Sequence, residues 1–165
     1  MRTRRVSIQE ADFDAGAEMA ELRRADGRIG AVCSFVGTVR GVDADDLSGS
    51  IRAMELEHYP GMTEKSIEAM IDTAQARFGL LGARVVHRVG KLAPGEQIVL
   101  VAVAAGHRAQ AFQACEYLMD YLKTQAPFWK KEFTAHGERW VPARASDDAA
   151  RDRWGSEPPA EPPGA

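Results

Sequence analysis

The sequence predicts an α+β protein with a mixed, largely antiparallel sheet and packed helices. Strand-like and helix-like patterns follow one another in the order βαββαββα, and further strands come after the last helix. Turns containing proline and glycine join several of these elements, and tight turns favour antiparallel neighbours. The length of 165 residues favours one domain, which we expect to occupy residues 1–154.

The first half of the chain is expected to alternate strands and helices. Its strands are indicated by β-branched and aromatic residues, or by alternation of apolar and polar ones. Asp12 and Asp14 can cap the first helix and Thr63 the second, because their side-chain oxygens accept hydrogen bonds from free backbone N–H groups. The expected elements are strands at 4–8, 30–40 and 51–59, with 30–40 as a central strand, and helices ending near Arg24 and Phe78.

The second half begins with two apolar strands, ARVVHRVGKL and QIVLVAVAAG, joined by a turn at Pro94-Gly95. A long helix is expected from about Arg108 to Lys123. Its apolar stripe is expected to pack in the core and consists of Phe112, Cys115, Met119 and Leu122. The remaining expectations are a strand pair over 130–141, a polar loop over 41–50 and a proline-rich, disordered tail over 155–165.

Composition argues against several classes of function. The net charge is -3 and the isoelectric point lies near 5.8, which argues against a protein that coats nucleic acid or an anionic membrane. No stretch approaches the roughly 20 apolar residues that a membrane span needs, and the N-terminus has no apolar segment typical of a signal peptide. We therefore expect a cytoplasmic protein, in which Cys33 and Cys115 are buried free thiols.

Four cationic stretches lie where predicted elements begin or end. They are Thr38-Val39-Arg40, His107-Arg108, Lys123 and Lys130-Lys131-Glu132. Free N–H groups at the start of the long helix also favour an anion beside His107 and Arg108. Lys123 is at the other end of that helix, about 24 Å away at a rise of about 1.5 Å per residue. Either the ligand is extended, therefore, or a second subunit supplies part of the site.

The stretch YLKTQAPFWKKE, residues 121–132, places lysines beside a rigid apolar corner. Such a wall would remove water from Lys123 and Lys130 and lower their pKa values, as proton transfer by lysine requires. The stem of Lys130 can lie against Trp129, which directly precedes it. An ammonium group about 4 Å from a phosphate oxygen gains about 4 kcal/mol before desolvation, at an effective dielectric constant of about 20. The residues alone thus indicate an anion-binding enzyme or module.

Ordinary structural roles compete with this interpretation. Arg40 and Lys131 can be solvated surface cations, and Lys123 can simply stabilise the carboxyl end of its helix. His107 alone is more often a partly buried structural histidine than a catalytic residue. The other histidines lack the spacing of metal ligands, so we expect no metal site.

Five blocks of sequence carry a resemblance to a known family. They are FVGTVR (35–40), LEHYPGMTEK (56–65), HRVGKLAPGE (87–96), AGHRAQAF (105–112) and MDYLKTQAPFWKKE (119–132). The likeness continues through GERWVPARASD (137–147) and covers nearly the whole chain up to about Trp154. In this order the blocks resemble the MoaE family, the large catalytic subunits of molybdopterin synthases.

The resemblance implies a fold, an activity and partners. The fold would be α+β with a hammerhead-type subdomain. The family converts cyclic pyranopterin monophosphate into molybdopterin by installing two sulfurs as a dithiolene, without a metal or other cofactor. The sulfur is carried as a thiocarboxylate on the Gly-Gly C-terminus of a small ubiquitin-like partner. A central homodimer of large subunits with one small subunit at each outer end forms a heterotetramer.

Carried over block by block, the resemblance also implies a set of site residues. Lys123 and Lys130 would be the catalytic residues, closest to the chemistry. The arginines and His107 would bind the phosphate and the pterin, some of them from the neighbouring large subunit. The full set of implied substrate contacts is Thr38, Val39, Arg40, His107, Arg108, Lys123, Lys130, Lys131 and Glu132.

Two other functions stay open at this point. A non-catalytic module that docks the ubiquitin-like tail would bind the partner without any dependence of turnover on Lys123 or Lys130. A nucleotide or coenzyme A binder could use the same cations, although no P-loop or GxGxxG sequence lies at a predicted strand–helix junction.

Overall fold

The computed structural model describes residues 4–42, 51–141 and 145–155, and within these ranges it contains two four-stranded sheets and four helices. The strands are β1 (Val6–Gln9), β2 (Ala31–Thr38), β3 (Ile51–His58), β4 (Gly82–Arg88), β5 (Gly90–Leu92), β6 (Gln97–Ala105), β7 (Phe128–Thr134) and β8 (Gly137–Val141). The helices are α1 (Ala15–Arg24), α2 (Met62–Phe78), α3 (Arg108–Gln125) and α4 (Ala145–Asp152). The predicted α+β class is confirmed. The predicted loop over 41–50 and tail over 155–165 lie almost entirely outside the described residues.

The first sheet holds the main core and has the strand order β1-β4-β6-β2. β1 runs parallel to β4, and the other two pairings are antiparallel. Successive residues of a strand face opposite sides, so Val85 packs with α2 and α3 while Val86 packs with α1. Ile71 of α2 and Leu118 of α3 are fully buried in the larger of these two clusters. None of the helices in the described ranges combines the length and apolar character that crossing a bilayer requires.

β2 lies at an edge of this sheet, whereas the sequence predicted a central strand. Phe35 and Val36 of β2 are 41% and 37% exposed. The prediction was wrong because the apolar content of a strand measures how much apolar surface it carries, not which neighbour covers that surface. β2 therefore presents an edge with apolar side chains next to the strand end that carries Thr38.

The chain changes sheets at Gly90, within the stretch that the sequence predicted as one strand. Gly90 has a φ of 83°, a conformation that favours glycine, and it is the first residue of β5 in the second sheet, two residues after β4 ends in the first. The second sheet has the order β5-β3-β7-β8, with every neighbouring pair antiparallel. β5 pairs with β3 and β3 with β7, so the second sheet places β7 directly after the end of α3.

The helix starts were predicted with mixed success. Asp14 caps α1, and its Oδ1 accepts a hydrogen bond from the N–H of Ala17 at 3.0 Å. Thr63 does not cap α2, because it lies inside the helix and is fully buried. Its hydroxyl instead accepts from the N–H of Tyr59 at 3.0 Å and donates to the carbonyl of Pro127 at 3.1 Å. Thr63 thus ties the start of α2 to the corner that precedes β7.

The long helix α3 begins at Arg108, as predicted, and extends two residues beyond Lys123. Its buried stripe includes Cys115 and Leu122, as expected, but Phe112 is 64% exposed. Phe112 follows the buried Ala111 and is therefore turned by about 100° from the face that meets the sheet.

Candidate active site

A cavity of about 580 Å³ opens where the two sheets meet, beside the carboxyl end of α3. It brings together cations from three different elements, namely Arg40 after β2, Lys123 on α3 and Lys130 on β7. The other polar side chains that line it are Thr38, His87, Ser146 and Asp147. Its apolar wall includes Phe35, Met54, Leu56, Met119, Leu122 and Phe128. Among the described residues, the cavity therefore combines three positive charges with one carboxylate and a large apolar surface.

Lys123 and Lys130 approach each other because the chain reverses between α3 and β7. Ala126 has an extended backbone, as the residue before a proline usually does, and α3 consequently ends at Gln125. β7 then starts at Phe128 and pairs with β3, which directs Lys130 toward the same cavity as Lys123. The turn at Ala126-Pro127 thus places the two lysines beside the same cavity.

Lys130 is partly buried and belongs to a small ion network. Its Nζ lies 3.5 Å from Oε1 of Glu132, whose side chain is almost fully buried. The other carboxylate oxygen of Glu132 accepts hydrogen bonds from Nη2 and Nε of Arg139 at 2.9 and 3.1 Å. Burial lowers the pKa of Lys130, and the charges of Lys123 and Arg40 lower it further, against the opposing effect of Glu132. Proton release from Lys130 is therefore easier than from an ordinary surface lysine.

Phe128 and His87 contact each other in the wall of the cavity. Their rings are stacked, with centroids 3.8 Å apart and planes 19° apart. Nδ1 of His87 lies 2.8 Å from the carbonyl oxygen of Arg88. Burial lowers the pKa of His87 to about 4, and the charges of Lys123 and His58 contribute, while the Arg88 hydrogen bond opposes them. His87 is consequently neutral at physiological pH.

The structure places some of the sequence-predicted residues elsewhere. Val39 is buried beside Met54 and Leu92, and both its backbone groups are used, by Glu96 and Gly95 at 2.9 Å each. Glu132 lies behind Lys130 in the ion network. Only Thr38, Arg40, Lys123 and Lys130 of the predicted set line the described cavity.

Lys131 points away from the cavity, on the opposite face of β7 from Lys130. Its Nζ lies 3.2 Å from Oε2 of Glu138 and 4.9 Å from the ring centre of Trp140. Trp129 shares that outer face and is 48% exposed. The expected contact between Trp129 and the stem of Lys130 was wrong, because adjacent residues of a strand point to opposite faces.

His107 and Arg108 are exposed at the start of α3, the end opposite to Lys123. They lie outside the cavity of their own chain. This agrees with the separation that the length of the helix predicted, so a ligand in this cavity can meet them only from a second copy or by extending far along the surface.

Sequence reasoning missed three polar groups of the cavity. Ser146 and Asp147 begin α4, and no pattern in the sequence connected them with the lysines. His87 was set aside because it lacks metal-ligand spacing. A signal was present, since His87 continues the buried alternation of Ala83 and Val85 along β4 and is therefore a polar group on an apolar face.

Comparison with known proteins agrees with the resemblance seen in the sequence. The model of the family described as "MoaE protein" matches residues 8–125. The molybdopterin synthase catalytic subunit of Ralstonia nicotianae is 61% identical over 150 residues, covering 91% of this chain and 84% of that one. The Escherichia coli K12 protein of the same name is 46% identical over 154 residues, covering 93% and 100%.

A solved structure gives the same result for the fold. The molybdopterin biosynthesis MoaE protein from Burkholderia ambifaria superimposes with a TM-score of 0.79 at 54% identity, over 93% of this chain and 99% of that one. Both its fold and its sequence therefore agree with those of the present chain over almost their full lengths. The chain belongs to the MoaE family, that of the catalytic subunits of molybdopterin synthase.

Proposed function

We propose that this chain is the catalytic subunit of a molybdopterin synthase and that sulfur transfer takes place in the cavity between the two sheets. The enzyme moves sulfur from a C-terminal thiocarboxylate of a small carrier protein to cyclic pyranopterin monophosphate, forming the dithiolene of molybdopterin. The single observation that carries the location is the convergence of Arg40, Lys123 and Lys130 on one apolar-walled cavity.

The contents of the cavity fit both reactants. The pterin substrate carries a phosphate, and the carrier ends in an anionic thiocarboxylate, so each needs positive charge. An ammonium group about 4 Å from such an oxygen gains about 4 kcal/mol before desolvation, and Lys123, Lys130 and Arg40 together supply three cations. Phe128 and Met119 offer apolar surface against which a flat ring can pack.

The proposed reaction uses the two lysines in different roles. The thiocarboxylate sulfur attacks the side chain of the pterin, and the cyclic phosphate opens. Lys123 orients the carbonyl terminus of the carrier and assists proton transfer, whereas Lys130 offsets the developing negative charge. Water then hydrolyses the thioester, which releases the carrier as a carboxylate and leaves a thiolate on the pterin. A second thiocarboxylated carrier attacks the neighbouring side-chain carbon, whose oxygen leaves as water, and hydrolysis of this second thioester completes the dithiolene.

Glu132 and Arg139 support this reaction from behind Lys130. The buried carboxylate of Glu132 bridges Lys130 and Arg139, which fixes the direction in which the ammonium group points. We assign Glu132 a positioning role, because its oxygens are already engaged by these two cations. Val39 similarly fixes the backbone between Thr38 and Arg40, whereas Lys131 pairs with Glu138 on the outer face of β7 and takes no part in the proposed reaction.

The proposed assembly is a homodimer of this chain with one small carrier at each outer end. In it, His107 and Arg108 of one copy complete the cavity of the other and bind the phosphate of the pterin. The separation of the two ends of α3 and the exposed apolar edge of β2 support this arrangement. The carrier is a ubiquitin-like protein ending in Gly-Gly, and we place the reaction in the cytoplasm.

The test is turnover by Lys123→Ala with purified thiocarboxylated carrier and cyclic pyranopterin monophosphate. Removing a proton-transfer lysine is expected to lower the rate by about 100-fold or more. Lys65→Ala is the matched control, because Lys65 is an exposed lysine in the first turn of α2 and is not among the residues that line the cavity. Equal turnover by the two variants would contradict the assignment, and carrier binding with no turnover even by the unaltered protein would favour a docking module.

A further inference from the structure

His87 is a buried polar group in the cavity wall that the proposed reaction does not use. Its side chain lies on β4 of the first sheet and is only 7% exposed, yet it lines the cavity together with Lys123 and Lys130. The stacked ring of Phe128 holds the imidazole plane in one orientation. Because the ring plane is fixed, the lone pair or N–H of each ring nitrogen of His87 points in a defined direction.

The hydrogen bond to Arg88 identifies which nitrogen carries the proton. A backbone carbonyl only accepts hydrogen bonds, so Nδ1 of His87, 2.8 Å from it, must be the N–H donor. With the pKa lowered to about 4, the ring has one proton at neutral pH, and Nε2 is therefore an acceptor. Within the described residues Nε2 has no hydrogen-bond partner, and it is not among the side-chain atoms that are sealed from solvent.

Nε2 differs from the other polar groups described in this cavity because it is uncharged and can only accept. The hydroxyls of Thr38 and Ser146 are also neutral, but each can donate as well as accept. Arg40, Lys123 and Lys130 are cations suited to anionic oxygens, and the acceptor on the α4 side, Asp147, is a charged carboxylate. A ligand that presents only anionic groups would leave Nε2 unpaired, which is costly for a buried polar atom. The arrangement instead suits a ligand with an N–H group next to an anionic group.

We propose that Nε2 of His87 accepts a hydrogen bond from a ring N–H or amino group of the pterin and thereby fixes the orientation of the ring in the cavity. This inference rests on the proposed function and adds the residue that recognises the heterocycle. A reduced pterin offers N–H donors at the edge of a flat ring whose faces can pack on apolar side chains. The backbone N–H at the carrier's C-terminus is a second donor beside an anionic group, and the measurement of carrier affinity below separates it from the pterin.

Three substitutions separate hydrogen bonding from packing. His87→Gln keeps an acceptor near the position of Nε2, His87→Asn keeps only a donor near that of Nδ1, and His87→Phe keeps only a flat ring. The measurements are the affinity of each variant for cyclic pyranopterin monophosphate without carrier, and its affinity for the carrier. We expect His87→Asn and His87→Phe to bind the pterin about tenfold more weakly, and His87→Gln to recover most of that loss, with carrier affinity unchanged.

Several outcomes would overturn the inference. Equal pterin affinity in all four proteins would show that Nε2 makes no contact with the pterin. Equal loss in all three variants, including His87→Gln, would show that packing alone matters. A loss of carrier affinity in place of pterin affinity would assign Nε2 to the peptide tail. Dithiolene formation by the unaltered protein is measured in parallel, because its absence would reject the proposed function, whereas its presence with equal pterin binding rejects only the role of His87.

Discussion

Lys130 and Lys131 are neighbours in sequence, yet they face two different regions of the molecule. Lys130 points into the cavity, where burial and the nearby cations lower its pKa. Lys131 lies on the outer face of the same strand, beside Glu138 and the exposed ring of Trp140. The alternation of a single strand therefore separates a lysine that faces the cavity and its cations from one that is paired with Glu138 on the outer face.

This difference shows that side-chain direction, rather than residue type, decides which of the two lysines faces the cavity. The side chains of Lys130 and Lys131 are similarly exposed, at 30% and 25%, so the difference lies in their neighbours: Lys131 is paired with the exposed carboxylate of Glu138, an interaction of a kind that contributes little to stability. A partly buried ammonium group beside other cations is poorly solvated and more readily gives up its proton. Substitution of Lys130 can therefore be compared with substitution of Lys131, which lies on the other face of β7 and serves as the control.

The largest expected effect comes from comparing Lys130→Ala with Lys131→Ala. Loss of Lys130 removes charge stabilisation at the reacting atoms, so its turnover is expected to fall about 100-fold. Loss of Lys131 breaks a surface pair and is expected to change turnover by less than about threefold. Steady-state dithiolene formation with saturating carrier measures both rates. A larger loss of turnover in Lys131→Ala than in Lys130→Ala would instead place the reaction at the outer face of β7.

The next effect tests whether the two ends of α3 serve different cavities. A chain with His107→Ala and Arg108→Ala is mixed in equal amounts with a chain carrying Lys123→Ala and Lys130→Ala. In a shared-site dimer one of the two cavities of each mixed dimer is intact, so activity should recover to roughly a quarter of the unaltered value. Each variant alone should be nearly inactive. No recovery, after exchange of subunits is verified, would mean that each cavity is built from one chain.

The smallest expected effect concerns the pH dependence of stability. His87 has a pKa of about 4 in the folded protein against 6.5 as its ordinary value, so the unfolded chain binds the proton more tightly. The stability that depends on neutral His87 is therefore present above about pH 6.5 and is lost as the pH falls toward 4. Between pH 7.5 and 4.5 this loss amounts to roughly 2 to 3 kcal/mol.

Urea unfolding of the unaltered protein and of His87→Phe at these two pH values isolates this contribution. Carboxylates titrate in both proteins, so only the difference between their pH dependences reports on His87. The variant should lose less stability on acidification than the unaltered protein. Identical pH dependences would show that His87 is not kept neutral by burial.

The sequence predicted local structure well, because that structure depends on nearby residues. Asp14 caps α1 as expected, and α3 begins at Arg108. The errors occurred where distant parts of the chain decide the outcome. Thr63 was expected as a cap but is buried against the carbonyl of Pro127. The second sheet depends on pairing between β3 and β7, whose paired residues lie 70 to 83 positions apart, from His58 with Phe128 to Ile51 with Thr134.

The candidate site was predictable in part. Clusters of cations and the rigid corner before β7 indicated Lys123 and Lys130 without any structure, and the helix length separated Lys123 from His107. The reaction itself followed from the resemblance, since charge and spacing led only to an anion site. His87 escaped notice because its role depends on the Phe128 stack and the Arg88 carbonyl, which no local pattern reveals.

The most direct test of the central claim is protection of lysines from acetylation by bound cyclic pyranopterin monophosphate. The protein is treated briefly with an acetylating reagent with and without the pterin, and modification at each lysine is measured by mass spectrometry. The account predicts that the pterin protects Lys123 and Lys130, while Lys131 and Lys65 are modified to the same extent in both samples. Protection of Lys131 without protection of Lys123 and Lys130 would contradict it.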